Sequence, residues 1–364
     1  MAPARWEELF TGARREGLEG GVELLELWLR RVAPRRDVLV EQLREWAPQE
    51  LDGRVESMLL PHMERVYHIM RVFRAMAEAA GEKLTFGGGS IINYIYLPRH
   101  REPPRLTFVV DSASRRKLEM KRHLLSLVLE VNRWLSERGE SFILATRREG
   151  LPVGFIVWDA EKDYFPNMLS LKMPIITLYG SGAPIHTYFS EKLRVSLDYE
   201  SIARLREVAR AFGARELRVE EVRAEITLEP VGDAVEERVE LPFKLGSVTA
   251  SITNPHLQVA MKIVFKLARS WSDEDLRYVS HDMLKALLDT RLAEHLDKAE
   301  TRSHIEHLGG APLEQIKQNL ARAEANLEKH YTSFHYSLVK LKYPNLADIK
   351  GKTMKTLTDI LENT

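Results

Sequence analysis

Residues 105–111 read Arg-Leu-Thr-Phe-Val-Val-Asp (RLTFVVD), and their alternation decides the fold class. Successive side chains of a strand point to opposite faces. Leu106, Phe108 and Val110 therefore form an apolar face, while Arg105, Thr107 and Asp111 form a polar one with Val109 among them. Residues 217–229 repeat the device, with Val222, Ala224, Ile226 and Leu228 alternating with Arg223, Glu225, Thr227 and Glu229. Two such strands predict a sheet with one buried and one wet face, each strand lending a carboxylate to the wet side. As sheet neighbours, Asp111 and Glu225 would share a divalent cation through oxygen ligands. A merely solvated face is the competing account of the same pattern.

Outward from these strands the organisation is α+β. Residues 1–80 read as helices: Leu24, Leu25, Trp28 and Leu29 make one apolar stripe, Val38, Leu39 and Leu43 another, and Met63, Val66, Tyr67 and Met70 a third within a helix over 58–80 that Gly81 stops. Strand-like runs follow at 83–92, 171–178, 186–189, 193–197 and 247–252, with a hairpin from 141–146 and 153–158 and helices at 114–137 and 201–212. From 255 on, the spacing predicts helices only, at 255–269, 273–293, 312–340 and 346–362. The expected plan is an N-terminal helical region (1–80), a mixed-sheet α/β core (81–254) and a C-terminal helical domain (255–364).

With 53 basic and 53 acidic side chains in 364 residues, net charge favours no class of partner, so a nucleic-acid contact needs a local basic patch. The absence of cysteine removes disulfides, thiolate metal sites and cysteine nucleophiles together. No apolar run reaches membrane-spanning length and residues 1–17 lack a signal-peptide core, so the expected address is the cytoplasm, with no membrane partner.

Residues 86–92 (FGGGSII) followed by RLTFVVD resemble the opening of the AbiEii-type nucleotidyltransferases, members of the DNA polymerase β-like superfamily that includes type IV toxin enzymes. Gly88, Gly89 and Ser90 match that family's Gly-Gly-Ser turn at a helix start. Arg105, Thr107 and Asp111 match its Arg-x-Ser/Thr-x-Asp-hydrophobic-Asp strand. Downstream, residues 222–227 (VRAEIT) look like its third-carboxylate strand, 260–267 (AMKIVFKL) like its lysine helix, and 273–278 (DEDLRY) like its late acidic segment.

The resemblance implies a nucleotidyltransferase-type core that moves a nucleoside monophosphate from an NTP to a hydroxyl of a nucleic acid, such as a tRNA end, or of a protein, in a toxin–antitoxin setting with a cognate antitoxin. It implies phosphate binding by Gly88, Gly89, Ser90 and Arg105, Mg²⁺ or Mn²⁺ on Asp111 and Glu225, a nucleotide-contacting Lys262, and Asp275 orienting lysine or acceptor. Such a site has clear physics: glycines admit phosphate oxygens to backbone N–H groups, carboxylates hold the cation, and a lysine brings mobile positive charge. The chain departs from the pattern at Val109, where the family carries its first catalytic Asp. That departure supports a rival reading, a non-catalytic member that binds nucleotide, RNA or a partner protein.

Outside that pattern, Arg115, Arg116, Lys117, Lys121 and Arg122 open the helix after Asp111, a candidate phosphate patch or a solvated face. His304 and His307 lack zinc-type HExxH spacing and read as residues of a surface helix or turn.

Overall fold

The computed structural model describes residues 17–46, 51–81, 84–87, 105–111, 130–131, 133–135, 137–138, 140, 144–145, 152–153, 157–158, 168–191, 196–229, 234–267, 296–308, 314–319, 321–322, 355–356 and 358–362. Three helices come first: α1 (Gly17–Val32), α2 (Arg36–Trp46) and α3 (Gly53–Ala80). The third begins five residues before the expected start at 58. Asp52 caps it, one carboxylate oxygen accepting the Arg54 and Val55 N–H groups at 2.8 and 2.9 Å. It ends where Gly81 turns to φ 52°, as the sequence indicated.

The sheet is built from β1 (Thr85–Phe86), β2 (Arg105–Asp111), β5 (Val157–Trp158), β6 (Met168–Thr177), β7 (Ala183–Pro184), β8 (Arg218–Glu229), β9 (Ala234–Leu241) and β10 (Gly246–Thr253). Its order is β5-β6-β8-β2-β1-β10-β9, with β7 also pairing to β8. Pairings β1–β10 and β2–β8 are parallel and the others antiparallel, so the sheet is mixed and the fold is α+β. The expected hairpin survives in part. Its core is a separate ribbon of β3 (Leu144–Ala145) and β4 (Pro152–Val153), while Val157–Trp158 leaves it to pair with β6.

Between strands lie α4 (Ile185–Glu191) and α5 (Tyr199–Ala211); α6 (Pro255–Leu267) and α7 (Lys298–Leu308) follow the sheet. The strand expected at 186–189 is thus a helix. Ile185 and Phe189 stand one turn apart and both are buried, a helical spacing too short to register as a stripe in sequence. Residues 196–197 have no regular structure. Strand β9 was not anticipated, whereas β10 falls on the expected run. Among the described residues beyond 254, all regular structure is helical.

One sheet face carries the core. Phe86, Val239, Leu241, Val248, Ala250 and Ile252 are all buried, and α3 lies against them with Phe73 4.3 Å from Phe86 between ring centroids. The N-terminal helices share this core. The turn joining β9 to β10 inserts Phe243 edge-on between Trp46 and Tyr67, at 5.7 and 5.5 Å. Phe243 and Lys244 both hold positive φ, 60° and 58°, a conformation costing about 1–2 kcal/mol per non-glycine residue. Helix α2 holds the strained turn in place: the Phe243 N–H donates to the Gln42 side-chain oxygen at 2.5 Å, and Lys244 pairs with Glu41 at 2.8 Å.

Candidate functional site

Parallel pairing of β2 with β8 places Thr107 level with Glu225, Val109 with Thr227, and Asp111 with Glu229. Level positions share a face, so Asp111 and Glu225 lie on adjacent strands and on the same side of the sheet. They are four positions out of level, about 13 Å along the strand at a rise near 3.3 Å per residue. Glu229 is the carboxylate position abreast of Asp111.

Antiparallel β6 extends the rows. Lys172 is level with Arg223 and hence with Arg105, and Ser170 with Glu225 and Thr107. On the other side, Val109 is level with Thr85, and Thr85 with Ser251. The face thus runs from a cationic row (Lys172, Arg223, Arg105), through a Ser170–Glu225–Thr107 row, to the Asp111–Glu229 row. Its continuation over β9 and β10 is wet: Arg238 and Glu240 side chains are 74% exposed, and Thr249 and Glu236 are exposed too. Over β9 and β10 the polar face expected from alternation is solvated, whereas Thr85 on the same face of β1 is buried.

Strand β1 runs antiparallel to β2 and leaves Phe86 level with Phe108. The chain therefore leaves β1 at Gly87 heading toward the Thr107 and Arg105 end, away from Asp111. The Phe86 carbonyl accepts the Thr253 hydroxyl at 3.2 Å, and Thr85 and Ser251 hydroxyls lie 3.1 Å apart, which fixes β1 against β10 at this exit. Gly88, Gly89, Ser90 and Asp275 lie outside the described residues, as do the basic cluster at 115–122 and most of the helices expected at 273–293 and 312–340. Lys262 falls on α6, whose buried stripe is Val259, Ala260 and Ile263. At 100° per residue its backbone position is about a quarter turn off that stripe. His304 on α7 faces Glu300 at 3.6 Å, as does His256 at 3.5 Å.

Among the described residues no group of three or more His, Asp or Glu side chains is arranged to hold a metal ion. The donor chemistry of the Asp111–Glu229 row suits a hard divalent cation, two oxygen-bearing positions on neighbouring strands about 4.8 Å apart. The Asp111–Glu225 spacing is too long for one cation to bridge both through their side chains.

Among the described residues, the most deeply buried carboxylate lies elsewhere, and the sequence pattern did not predict it. Glu64 on α3, fully buried, accepts the backbone N–H groups of Leu178 and Tyr179 at 2.5 and 2.6 Å. Glu220 on β8 accepts those of Ser181 and Gly182 at 2.5 and 3.2 Å, and the Arg65 guanidinium at 2.6 and 3.0 Å. Two carboxylates thus fill a loop of inward-pointing amides. Only glycine fits at two loop positions: a Cβ on Gly180 would stand 2.3 Å from a Glu220 carboxylate oxygen, and one on Gly182 2.1 Å from the Val219 carbonyl. Burial pushes the Glu64 carboxyl up to about 8 against the pull of its amide bonds, and the neighbouring Glu220 charge adds to the rise. Two signals were present in sequence, a Glu at a core position of an apolar stripe and the glycines of LYGSG.

No protein-family model matches the chain, and no curated protein matches it. Among the described residues, no helix is long and apolar enough to cross a membrane.

Proposed function

We propose that this chain is a nucleotidyltransferase-like protein of AbiEii type, transferring a nucleoside monophosphate from an NTP to a hydroxyl of a nucleic acid, with a tRNA end as the leading acceptor class. One observation carries the reading: β2 and β8 are parallel neighbours whose polar positions form one face, with Arg105, Thr107, Asp111, Glu225 and Glu229 on it. In this reading the cationic row of Arg105, Arg223 and Lys172 neutralises phosphate charge beside the Gly88, Gly89 and Ser90 turn. Glu225 stands next to that row, Lys262 approaches the nucleotide from α6, and Asp275 orients lysine or acceptor. Glu225 is the carboxylate beside the phosphate row that would hold Mg²⁺ or Mn²⁺, while Asp111 with Glu229 form a second acidic row about 13 Å farther along the face that would take a cation of its own. When bound, that cation would neutralise the transferring phosphoryl group and align the attacking hydroxyl. A cytoplasmic setting and a cognate antitoxin belong to the same proposal.

Val109 favours a second reading, a non-catalytic relative that binds nucleotide or RNA on the same face. The two are separated by incubating the protein with each radiolabelled NTP, Mg²⁺ and total RNA, alongside nucleotide-binding calorimetry. Labelled RNA that disappears with Glu225→Gln supports transfer. Binding that weakens with Lys262→Ala at unchanged melting temperature, without labelled product, supports the second reading. Wild-type protein that neither labels RNA nor binds any NTP refutes both.

A further inference from the structure

A cavity of about 410 Å³ opens outside the sheet, between α2, the first turn of α3 and the end of α5. Three arginines line it, Arg35, Arg36 and Arg44, together with Asp37 and Glu56; Val40 and Phe212 are among its apolar walls. The volume is in the range of small-ligand sites. Charge sorts the lining. Arg35 gives its Nε to Asp37 at 3.1 Å, and Arg44 engages Glu56 at 2.7 Å, where the Glu56 side chain is only 7% exposed. Each guanidinium has five N–H donors, so these carboxylates fix two of the arginines while leaving donors over. Arg36 has no carboxylate partner among the described residues, and its charge is the excess of the cavity.

On the opposite wall, three carbonyls at the C-terminal end of α5 are already engaged: Phe212 accepts the Tyr179 phenol at 2.6 Å, and Ala209 and Arg210 accept N–H groups of residues 212–214. Gly213, at φ 80°, also lines this wall; a Cβ there would come to 3.9 Å from the Arg36 Cδ.

We propose that this cavity binds a phosphate monoester of about nucleotide size, its phosphate on Arg36 with donors from Arg35 and Arg44, and its organic part against Val40 and Phe212. Guanidinium groups match tetrahedral oxyanions in charge and geometry, and the mixed wall admits more than bare phosphate.

The test is calorimetry on the full chain with adenosine monophosphate, inorganic phosphate and adenosine as separate probes, repeated with Arg36→Ala and Arg36→Lys. Adenosine monophosphate is expected to bind more tightly than inorganic phosphate, and adenosine not at all. Arg36→Ala is expected to weaken it roughly tenfold or more, the loss typical of a hydrogen bond to a charged group, with Arg36→Lys restoring part. Because Arg36 is exposed and belongs to α2, not to the sheet, this loss separates the cavity from the proposed nucleotide site. Binding unchanged in Arg36→Ala, or no binding of either phosphate probe by the wild type, overturns the proposal.

Discussion

Replacing Glu64 with glutamine should flatten the dependence of stability on pH. In the folded chain the Glu64 carboxyl is pushed up to about 8, chiefly by burial, from an ordinary value of 4.5. Between those values the folded state holds a proton that the unfolded chain has released. Stability therefore falls as pH rises through the window, by up to about 1.4 kcal/mol per pH unit. From pH 5.5 to 8 that amounts to about 3 kcal/mol as an upper figure, and above pH 8 the loss is complete. Glutamine does not titrate, but its amide N–H₂ faces one of the two N–H donors of Leu178 and Tyr179. Glu64→Gln should consequently cost about 1–3 kcal/mol at pH 5.5, the penalty of an unpaired buried group, and much less at pH 8.5. Urea unfolding of both proteins at the two pH values measures it, and taking the difference cancels every other titrating group not coupled to this site. A difference between the proteins that stays constant across the window, or grows with pH, would refute the reasoning.

Three further outcomes are expected. Phe73→Ala, which removes a fully buried ring tilted against Phe86, should lower unfolding free energy by about 3–5 kcal/mol in denaturant titration. Gln42→Ala should cost about 1–3 kcal/mol, because it strands the buried Phe243 N–H of a turn already strained at positive φ. Val109→Asp places a carboxylate two positions from Asp111 on the same face, level with Thr227; calorimetry should show tighter Mn²⁺ or Mg²⁺ binding than wild type, and a folded variant binding no better removes position 109 from the ligand set.

The strands that matter were legible because half-buried strands write their environment into alternate residues. Residues 221–229 and 246–253 do so throughout, and 105–111 at every position but Val109. Alternation reports which face a residue takes, never which residue of another strand stands beside it. Register comes from pairing between segments more than a hundred residues apart, and it is register that puts Glu229, and not Glu225, abreast of Asp111. Strand β9 escaped because its sequence, AVEERVEL, belongs to an exposed edge whose first three residues are all exposed. The Glu64 site escaped for a related reason. Its amide partners are 114 and 115 positions away, so a Glu within an apolar stripe shows that something unusual is buried without showing what satisfies it.

The devices that hold this fold together and the residues proposed for chemistry are on opposite sides of the sheet. Phe73, Glu64, Arg65 and Gln42 bind helices to the apolar face, the loop at 178–182 and the turn at 242–245. Arg105, Asp111, Glu225 and Glu229 occupy the other face, whose β9 and β10 portion is solvated. Exposed polar positions of a sheet contribute little to stability beyond cross-strand pairing of roughly 0.2–1 kcal/mol each. Conservative substitutions there should leave the fold intact, so a loss of nucleotide binding reports on the site itself. The register sharpens that use. Arg105 and Asp111 are six positions apart, about 20 Å along the strand, so a single nucleotide phosphate cannot touch both. Variants at the two ends therefore ask separate questions, one about phosphate recognition at the Arg105 row and one about cation binding at the acidic row.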